Sequence, residues 1–291
     1  MQNIGFKISV LAFISGVMTA CAHVPILNTN NSVVKSVEIF SKKHNMLDLD
    51  TVLETAYQRN KQPVVLAPAT DSSEQYFHQF PNTLLESNVL AFMHPVITYT
   101  NVQGEFRYLV IMETAKYYDG YISSCRACSS QVDILVYKKQ GNQFVLTGLA
   151  KNQEDIPSSN GHLMLDFQKQ FKENVQKFGA NMMGSYVYAT FTGAGGQEES
   201  LWYGILLPDN AQPQAVQIGH AGGSTASFYA DRPEMASTVT STLKVIQNQS
   251  VYFPIEVTYI DENQPKKPYK SIFQYEPSQQ FYVEKKVNWT D

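Results

Sequence analysis

The chain has few charged residues: Lys, Arg, Asp and Glu make up 16% of its 291 residues, against about a quarter in a typical globular protein. The 26 acidic side chains outnumber the 22 basic ones, and the formal net charge is −4. Binding to nucleic acid requires clustered Lys and Arg. This chain offers only short pairs such as Lys42-Lys43 and Lys266-Lys267. The composition therefore predicts no nucleic-acid partner.

Motifs for metal or cofactor binding are also lacking. The six histidines are scattered along the chain, without an HExxH motif or an i, i+4 pair. The glycine-rich stretch 193–196 lacks the Lys-Ser/Thr of a phosphate-binding loop. The sequence thus predicts no metal site and no cofactor. It favours a protein that is not an enzyme, although it does not exclude enzymatic activity.

The N-terminus has the three parts of an export signal. Lys7 precedes an apolar run over residues 8–17, and the small residues Thr19 and Ala20 precede Cys21. The run is shorter than the roughly 20 residues that a transmembrane helix needs, and no later segment approaches that length. We therefore interpret residues 1–20 as a signal peptide.

The sequence Met18-Thr19-Ala20-Cys21 resembles the lipobox of bacterial lipoproteins, with Met18 in a position where that family favours Leu. The resemblance implies cleavage before Cys21 and lipidation of this residue, and three acyl chains form an effectively permanent bilayer anchor. Ala22 follows in place of the Asp that retains such proteins at the inner membrane, which favours the outer membrane with the body facing the periplasm. Two alternatives stay open: Ala20-x-Ala22 fits ordinary signal peptidase, and an uncleaved segment would serve as an anchor.

The remaining cysteines lie three positions apart as Cys125-Arg126-Ala127-Cys128. In an oxidising compartment two thiols this close are expected to pair. A bridge across so short a loop stabilises a fold by only about 2 kcal/mol, so we interpret it as a staple for a tight turn. A redox role is the alternative, although the following residues have strand character and offer no helix N-terminus to activate a thiol.

The rest of the chain predicts a mainly β fold. Residues 106–114 are almost continuously apolar, residues 132–137 and 144–149 flank a hairpin signal, and residues 251–259 alternate with a period of two. Further strands are predicted over 186–192, 201–207, 215–219, 239–246, 269–275 and 281–287. The short connections indicate an antiparallel meander that forms a sandwich, an open barrel or a curved sheet.

Two helices are predicted to pack on this sheet. Thr51-x-x-Glu54 has the pattern of a capping box, which predicts a helix over 51–60. Apolar residues recur at helical spacing over 163–178 before the helix-stop residue Gly179. With residues 21–45 as a lipidated N-terminus and tether, residues 46–291 are predicted to form a single β-rich domain.

One stretch suggests nucleophilic catalysis. Gly222-x-Ser224-x-Ala226 is near the nucleophile elbow of α/β-hydrolases, but no histidine follows Ser224 in the order that this fold uses. A local pair of His220 and Ser224 remains the only form of a hydrolase hypothesis. The simpler interpretation of residues 219–226 is a glycine-rich turn.

A second resemblance rests on residues 109–114, Cys125-x-Ala127-Cys128 and the strand segment 132–144. Together they resemble uncharacterised bacterial envelope proteins that carry Cys-His-Ala-Cys in a β domain, over about residues 108–290. Arg126 replaces their histidine, so no role of that histidine transfers, and the resemblance implies no activity.

The favoured function is an envelope lipoprotein with a non-catalytic binding or scaffolding domain and an envelope protein as partner. A periplasmic hydrolase using Ser224 and His220 and a thiol–disulfide protein using Cys125 and Cys128 are the alternatives.

Overall fold

Strands dominate the computed structural model, which describes residues 46–62, 64–69, 72–123, 130–159, 161–164, 166–193 and 195–289. All of these residues belong to one unit. Its helices are α1 (Leu49–Val52), a π-helical turn (Leu53–Tyr57), α2 (Ser72–Phe77), α3 (Phe167–Glu173) and a 3-10 turn (Pro233–Met235). Its strands are β1 (Asn82–Glu86), β2 (Val89–Met93), β3 (Ile97–Thr100), β4 (Phe106–Tyr118), β5 (Tyr121–Ser123), β6 (Gln131–Gln140), β7 (Gln143–Gln153), β8 (Ser158–Ser159), β9 (His162–Leu163), β10 (Gln176–Gly179), β11 (Met182–Thr192), β12 (Glu198–Pro208), β13 (Gln214–Ser224), β14 (Thr238–Val245), β15 (Ile255–Asp261), β16 (Tyr269–Glu276) and β17 (Phe281–Trp289).

The strands form two large antiparallel sheets. The first has the order β1-β2-β4-β6-β7, with β3 and β5 also paired to β4. The second runs from β10 to β17 in sequence order, and β8 pairs with β9 in a small separate hairpin. The second sheet is thus a meander, and it stays open, with β10 and β17 at its two ends. This confirms the predicted mainly β, antiparallel fold.

The strands β11 to β13 are buried on both faces. Successive side chains of a strand point to opposite faces, so Ile205 and Leu206 enter two different cores. Ile205 packs in the core that includes Ile111 of the first sheet, whereas Leu206 packs with Val257 of β15. The second sheet therefore bends back over itself, and the protein has three β layers in place of the two of a simple sandwich.

The bend lies at the junction of β13 and β14. These strands pair only through Gly223↔Val239 and Ser224↔Thr238. The turn before the last strand then returns to β13: Gln214 Nε2 donates to the carbonyl oxygen of Gln280, which precedes β17, at 3.0 Å. Because the ladder between β13 and β14 is so short, β14 to β17 are free to cover the face of β12 and β13.

The glycine-rich stretch 219–226 was predicted to form a turn, and this prediction is wrong because β13 continues to Ser224. Its glycines serve close packing between strands. A Cβ at Gly222, where φ is +122°, would collide with the carbonyl oxygen of Val239, and a Cβ at Gly223 would collide with that of Glu198. Glycine is needed here because neighbouring backbones approach too closely for a side chain.

The helix predicted over 163–178 is much shorter. Only Phe167–Glu173 is helical, and it ends at Asn174, whose side-chain amide donates to the carbonyl oxygen of Tyr186 at 3.0 Å. Leu163 belongs to β9 and Phe178 to β10. The apolar positions that suggested one helical face are therefore divided between α3, which packs on the sandwich core, and two strands.

The helix predicted over 51–60 begins and ends earlier. Asp48, not Thr51, caps α1: its carboxylate accepts from the backbone N–H of Thr51 at 2.9 Å. The π-helical turn Leu53–Tyr57 follows and stops at Gln58, which has φ of +54°. These turns cover the outer face of the first sheet. No helix of the described part of the chain is both long and apolar enough to cross a membrane.

Candidate functional site: a buried carboxylate joining four segments

His220 and Ser224, the pair on which the hydrolase hypothesis depends, do not meet. They lie four positions apart on β13, which separates them by roughly 10–13 Å at the rise of a strand. The Ser224 hydroxyl instead lies 3.0 Å from Thr238 Oγ1 and accepts from the backbone N–H of Ala226 at 3.2 Å. With its hydroxyl already hydrogen-bonded and His220 out of reach, Ser224 lacks the base on which the hydrolase hypothesis depends.

Cys21, Cys125 and Cys128 lie outside the described residues, so lipidation and the disulfide stay predictions. The residues on either side of the Cys125–Cys128 segment are described. Ser123 pairs with Lys116 and Gln131 pairs with Thr114, on the side of β4 opposite β2. Because Lys116 and Thr114 are two positions apart on β4, Ser123 and Gln131 are only about 7 Å apart.

Among the described residues, polar groups cluster around Glu113 on β4, whose side chain is fully buried. One carboxylate oxygen, Oε1, accepts from Ser130 Oγ at 2.6 Å and from the backbone N–H of Leu163 at 2.7 Å. The other, Oε2, accepts from the Tyr76 hydroxyl at 2.9 Å and lies 2.7 Å from His94 Nε2. The carboxylate therefore joins four separate segments of the chain, and we call these five residues the Glu113 cluster.

The β-strand period explains why this carboxylate is buried. Leu109, Ile111 and Glu113 point to the same face of β4, and the first two belong to the core between the sheets. Beyond Ile111 the facing layer is no longer the second sheet but α2 and the β8–β9 hairpin, which contribute Tyr76 and Leu163. The polar cluster therefore occupies the end of the sandwich, under a cover of short elements.

Aromatic rings enclose the cluster. The ring of Tyr76 stacks on that of His162 with centroids 4.3 Å apart, and Phe80 lies 4.4 Å from His94. Burial raises the pKa of the Tyr76 hydroxyl, and the nearby charge of Glu113 raises it further. Tyr76 is thus held as a proton donor to the carboxylate.

A buried carboxylate is strongly unfavourable unless hydrogen bonds and opposite charge compensate it. Here each oxygen of Glu113 has two partners, so the group is saturated. Ser130 and His94 both approach this carboxylate and not each other. The arrangement fastens segments together and does not form the nucleophile–base pair of a hydrolase.

The sequence contains one signal for this cluster. Glu113 is the single charged residue in the apolar run 109–114, and a charge inside a buried strand requires a partner. Its partners at positions 76, 94, 130 and 163 are distant in sequence and could not be identified from spacing. Among the described residues, no three His, Cys, Asp or Glu side chains are arranged to hold a metal ion.

Beside the cluster lies a shallow depression lined by Leu66, Ala67, His78, Gly120, Tyr121 and Ile122. It has room for about one water molecule. Sites for small ligands have volumes of about 300–1,000 Å³. This depression therefore does not suit a small-molecule substrate.

No protein-family model matches the chain, and neither does any curated protein or solved structure.

Proposed function

We propose that the chain is a lipoprotein of the bacterial outer membrane, anchored through Cys21, whose β body faces the periplasm and binds or scaffolds another envelope protein without catalysing a reaction. The observation that carries the anchor is the succession of Lys7, the apolar run 8–17 and Met18-Thr19-Ala20-Cys21. A protein fixed to a bilayer by three acyl chains stays at the membrane. Its body is thereby presented to periplasmic partners throughout its lifetime.

The non-catalytic part of the proposal is supported by the state of the chemical groups in the body. The residues Glu113, His94 and Ser130 are each at most 4% exposed, and His94 and Ser130 both contact the Glu113 carboxylate. The other candidate pair, His220 and Ser224, is separated along β13. The Glu113 cluster is buried, and the exposed His220 and the half-buried Ser224 are too far apart to act as a pair, which favours binding by surfaces.

The anchor is tested by metabolic labelling with a fatty acid and membrane fractionation of the full chain in a bacterial host. The wild type is expected to incorporate the label and to sediment with outer membranes. Cys21→Ser removes the acceptor sulfur and is expected to abolish labelling. The double variant Cys125→Ser/Cys128→Ser is the matched control, since it removes the other two thiols and should leave labelling unchanged.

An unlabelled wild-type protein in the soluble periplasmic fraction would instead support cleavage at the Ala20-x-Ala22 site and would refute the anchor. The non-catalytic part is tested separately with a fluorophosphonate probe. No labelling of the wild type is expected. Labelling that disappears in Ser224→Ala would contradict the proposal and support a hydrolase.

A further inference from the structure

The connection between β13 and β14 is a closed surface loop over residues 225–237. Its neck is held by three hydrogen bonds between Thr225 and Ser237. Thr225 N donates to the carbonyl oxygen of Ser237 and Ser237 N donates to Thr225 Oγ1, both at 2.9 Å, and Thr225 Oγ1 donates to the carbonyl oxygen of Ser237 at 3.3 Å. Within the loop, the backbone N–H of Arg232 donates to the carbonyl oxygen of Tyr229 at 2.9 Å. A loop with joined ends and internal hydrogen bonds presents its side chains in a fixed arrangement.

Two large apolar side chains of this loop face solvent. Phe228 is 46% exposed and Met235 is 48% exposed. The ring of Phe228 packs edge-on against Tyr229 at 4.8 Å and also lies against Gly195 in the neighbouring β11–β12 hairpin. Single exposed apolar residues are common on protein surfaces. Here, however, Tyr229 and Gly195 contact the ring of Phe228 on two sides and hold it facing solvent.

Carboxylates lie around this apolar tip. Glu198 and Glu199 are exposed at the start of β12, close to Gly196, which lies against Ser227 of the loop.

The loop itself adds Asp231 and Glu234. The only cation within it is Arg232, whose Nε lies 3.9 Å from Asp231. The neighbouring β15–β16 turn, residues 262–268, is tied to the loop by Asn263 and contains Glu262 together with Lys266 and Lys267. The loop, the start of β12 and this turn together contain five carboxylates and three cations. The surface around the apolar tip is therefore acidic.

We propose that the apolar tip and its acidic surroundings form a docking surface for a cationic, apolar-bearing segment of a second protein. This inference rests on the proposed function and specifies the chemistry of its partner. Charge complementarity favours this occupant. A second copy of the chain would bring the same carboxylates face to face, and an anionic lipid surface would be repelled in the same way.

The test uses the full mature protein in detergent and a fluorescent synthetic peptide of alternating Lys and Phe. Binding is followed by fluorescence anisotropy, with a peptide of alternating Glu and Phe for comparison. Only the cationic peptide is expected to bind. Its binding should weaken about tenfold, equivalent to about 1.4 kcal/mol, in Phe228→Ala/Met235→Ala and again in Glu198→Gln/Glu199→Gln.

Matched controls are available on β17. Phe281 is 42% exposed and Glu284 is also exposed, so Phe281→Ala and Glu284→Gln remove similar groups at a distance from the loop. These variants should bind the cationic peptide as the wild type does. No binding by the wild type, equal binding of both peptides, or equal losses in the control variants would overturn the inference. Fatty-acid labelling at Cys21 is independent of these results, so failure here is distinguishable from failure of the proposed anchor.

Discussion

His94 Nε2 lies 2.7 Å from Glu113 Oε2 in the interior of the protein, where neither residue is more than 4% exposed. His94 precedes β3, and Glu113 lies within β4. The same carboxylate also receives bonds from α2, from Ser130 and from β9. One side chain thus ties the short elements at the end of the sandwich to its central strand.

Replacing Glu113 with Gln should destabilise the fold by about 3 kcal/mol. Both carboxylate oxygens of Glu113 have hydrogen-bond partners, and the substitution replaces one of these oxygens with an NH2 group, which cannot accept a hydrogen bond from them. The backbone N–H of Leu163 and the hydroxyl of Ser130 both need an acceptor at Oε1, and Tyr76 needs one at Oε2. Urea unfolding at neutral pH measures this loss.

Glu86→Gln provides the control for that measurement, since Glu86 is exposed at the end of β1. This variant should unfold within about 0.5 kcal/mol of the wild type. If Glu113→Gln proved as stable as Glu86→Gln, the carboxylate would not hold the segments together.

Replacing Gly222 with Ala should weaken the junction between β13 and β14. A Cβ there would collide with the carbonyl oxygen of Val239, and the backbone φ of +122° is unfavourable for alanine. We expect a loss of about 2–3 kcal/mol. Gly104→Ala is the comparison, because Gly104 also has positive φ but has open space around its Cβ position, and its loss should be about 1 kcal/mol. Equal losses in thermal unfolding would show that close packing at Gly222 is unimportant.

Alkaline pH should unfold the protein through its buried tyrosines. Burial is the main reason that the hydroxyl pKa is raised above 10.0 for Tyr57, Tyr76, Tyr99, Tyr137, Tyr203, Tyr259 and Tyr282. A raised pKa in the folded state stabilises the fold fully below the unfolded pKa, and this contribution is lost as pH rises through the folded pKa. Stability should therefore decline above about pH 10.

Spectrophotometric titration measures this effect through phenolate absorbance. In the native protein only part of the 17 tyrosines should ionise near pH 10, and the rest should ionise together with loss of the β-sheet circular dichroism signal. In denaturant all should ionise in one step. A native titration identical to the denatured one would contradict the burial of these side chains.

The Cys125–Cys128 bridge remains a prediction with its own test. Alkylation without prior reduction, followed by mass analysis, should find neither Cys125 nor Cys128 alkylated in the protein isolated from the periplasm. Cys125→Ser/Cys128→Ser should reduce the free energy of unfolding by about 2 kcal/mol. A reduction potential above about −200 mV would instead indicate a thiol–disulfide exchange role.

Much of the sheet structure was predictable because strand signals are local. The alternation of Ile255, Val257 and Tyr259 predicted β15, and all three side chains are buried. The hairpin signal at residues 138–142 marks the turn between β6 and β7, where Gly141 has φ of +58°. The period-two alternation of apolar residues and the identity of the turn residues were together sufficient to predict these elements.

What the sequence could not predict depends on long-range contacts. Phe171 and Phe178 share helical spacing, but they enter different cores because Phe178 packs against Gly184 of β11. The four partners of Glu113 likewise meet only through strand register and the cover over the end of the sandwich. The double burial of β11 to β13 depends on the bend at the junction of β13 and β14. The glycine-rich stretch 219–226 lies at this bend, but the local pattern did not indicate which strands the bend brings together.

In the proposed function, Cys21 becomes the acylated first residue of a membrane-bound protein. Intact-mass analysis of the full chain, extracted from the outer membranes of a bacterial host, tests this proposal. We expect a mass that lacks residues 1–20 and includes three acyl chains. A chain that keeps residues 1–20, or that begins after Ala22 without any acyl chain, would contradict it.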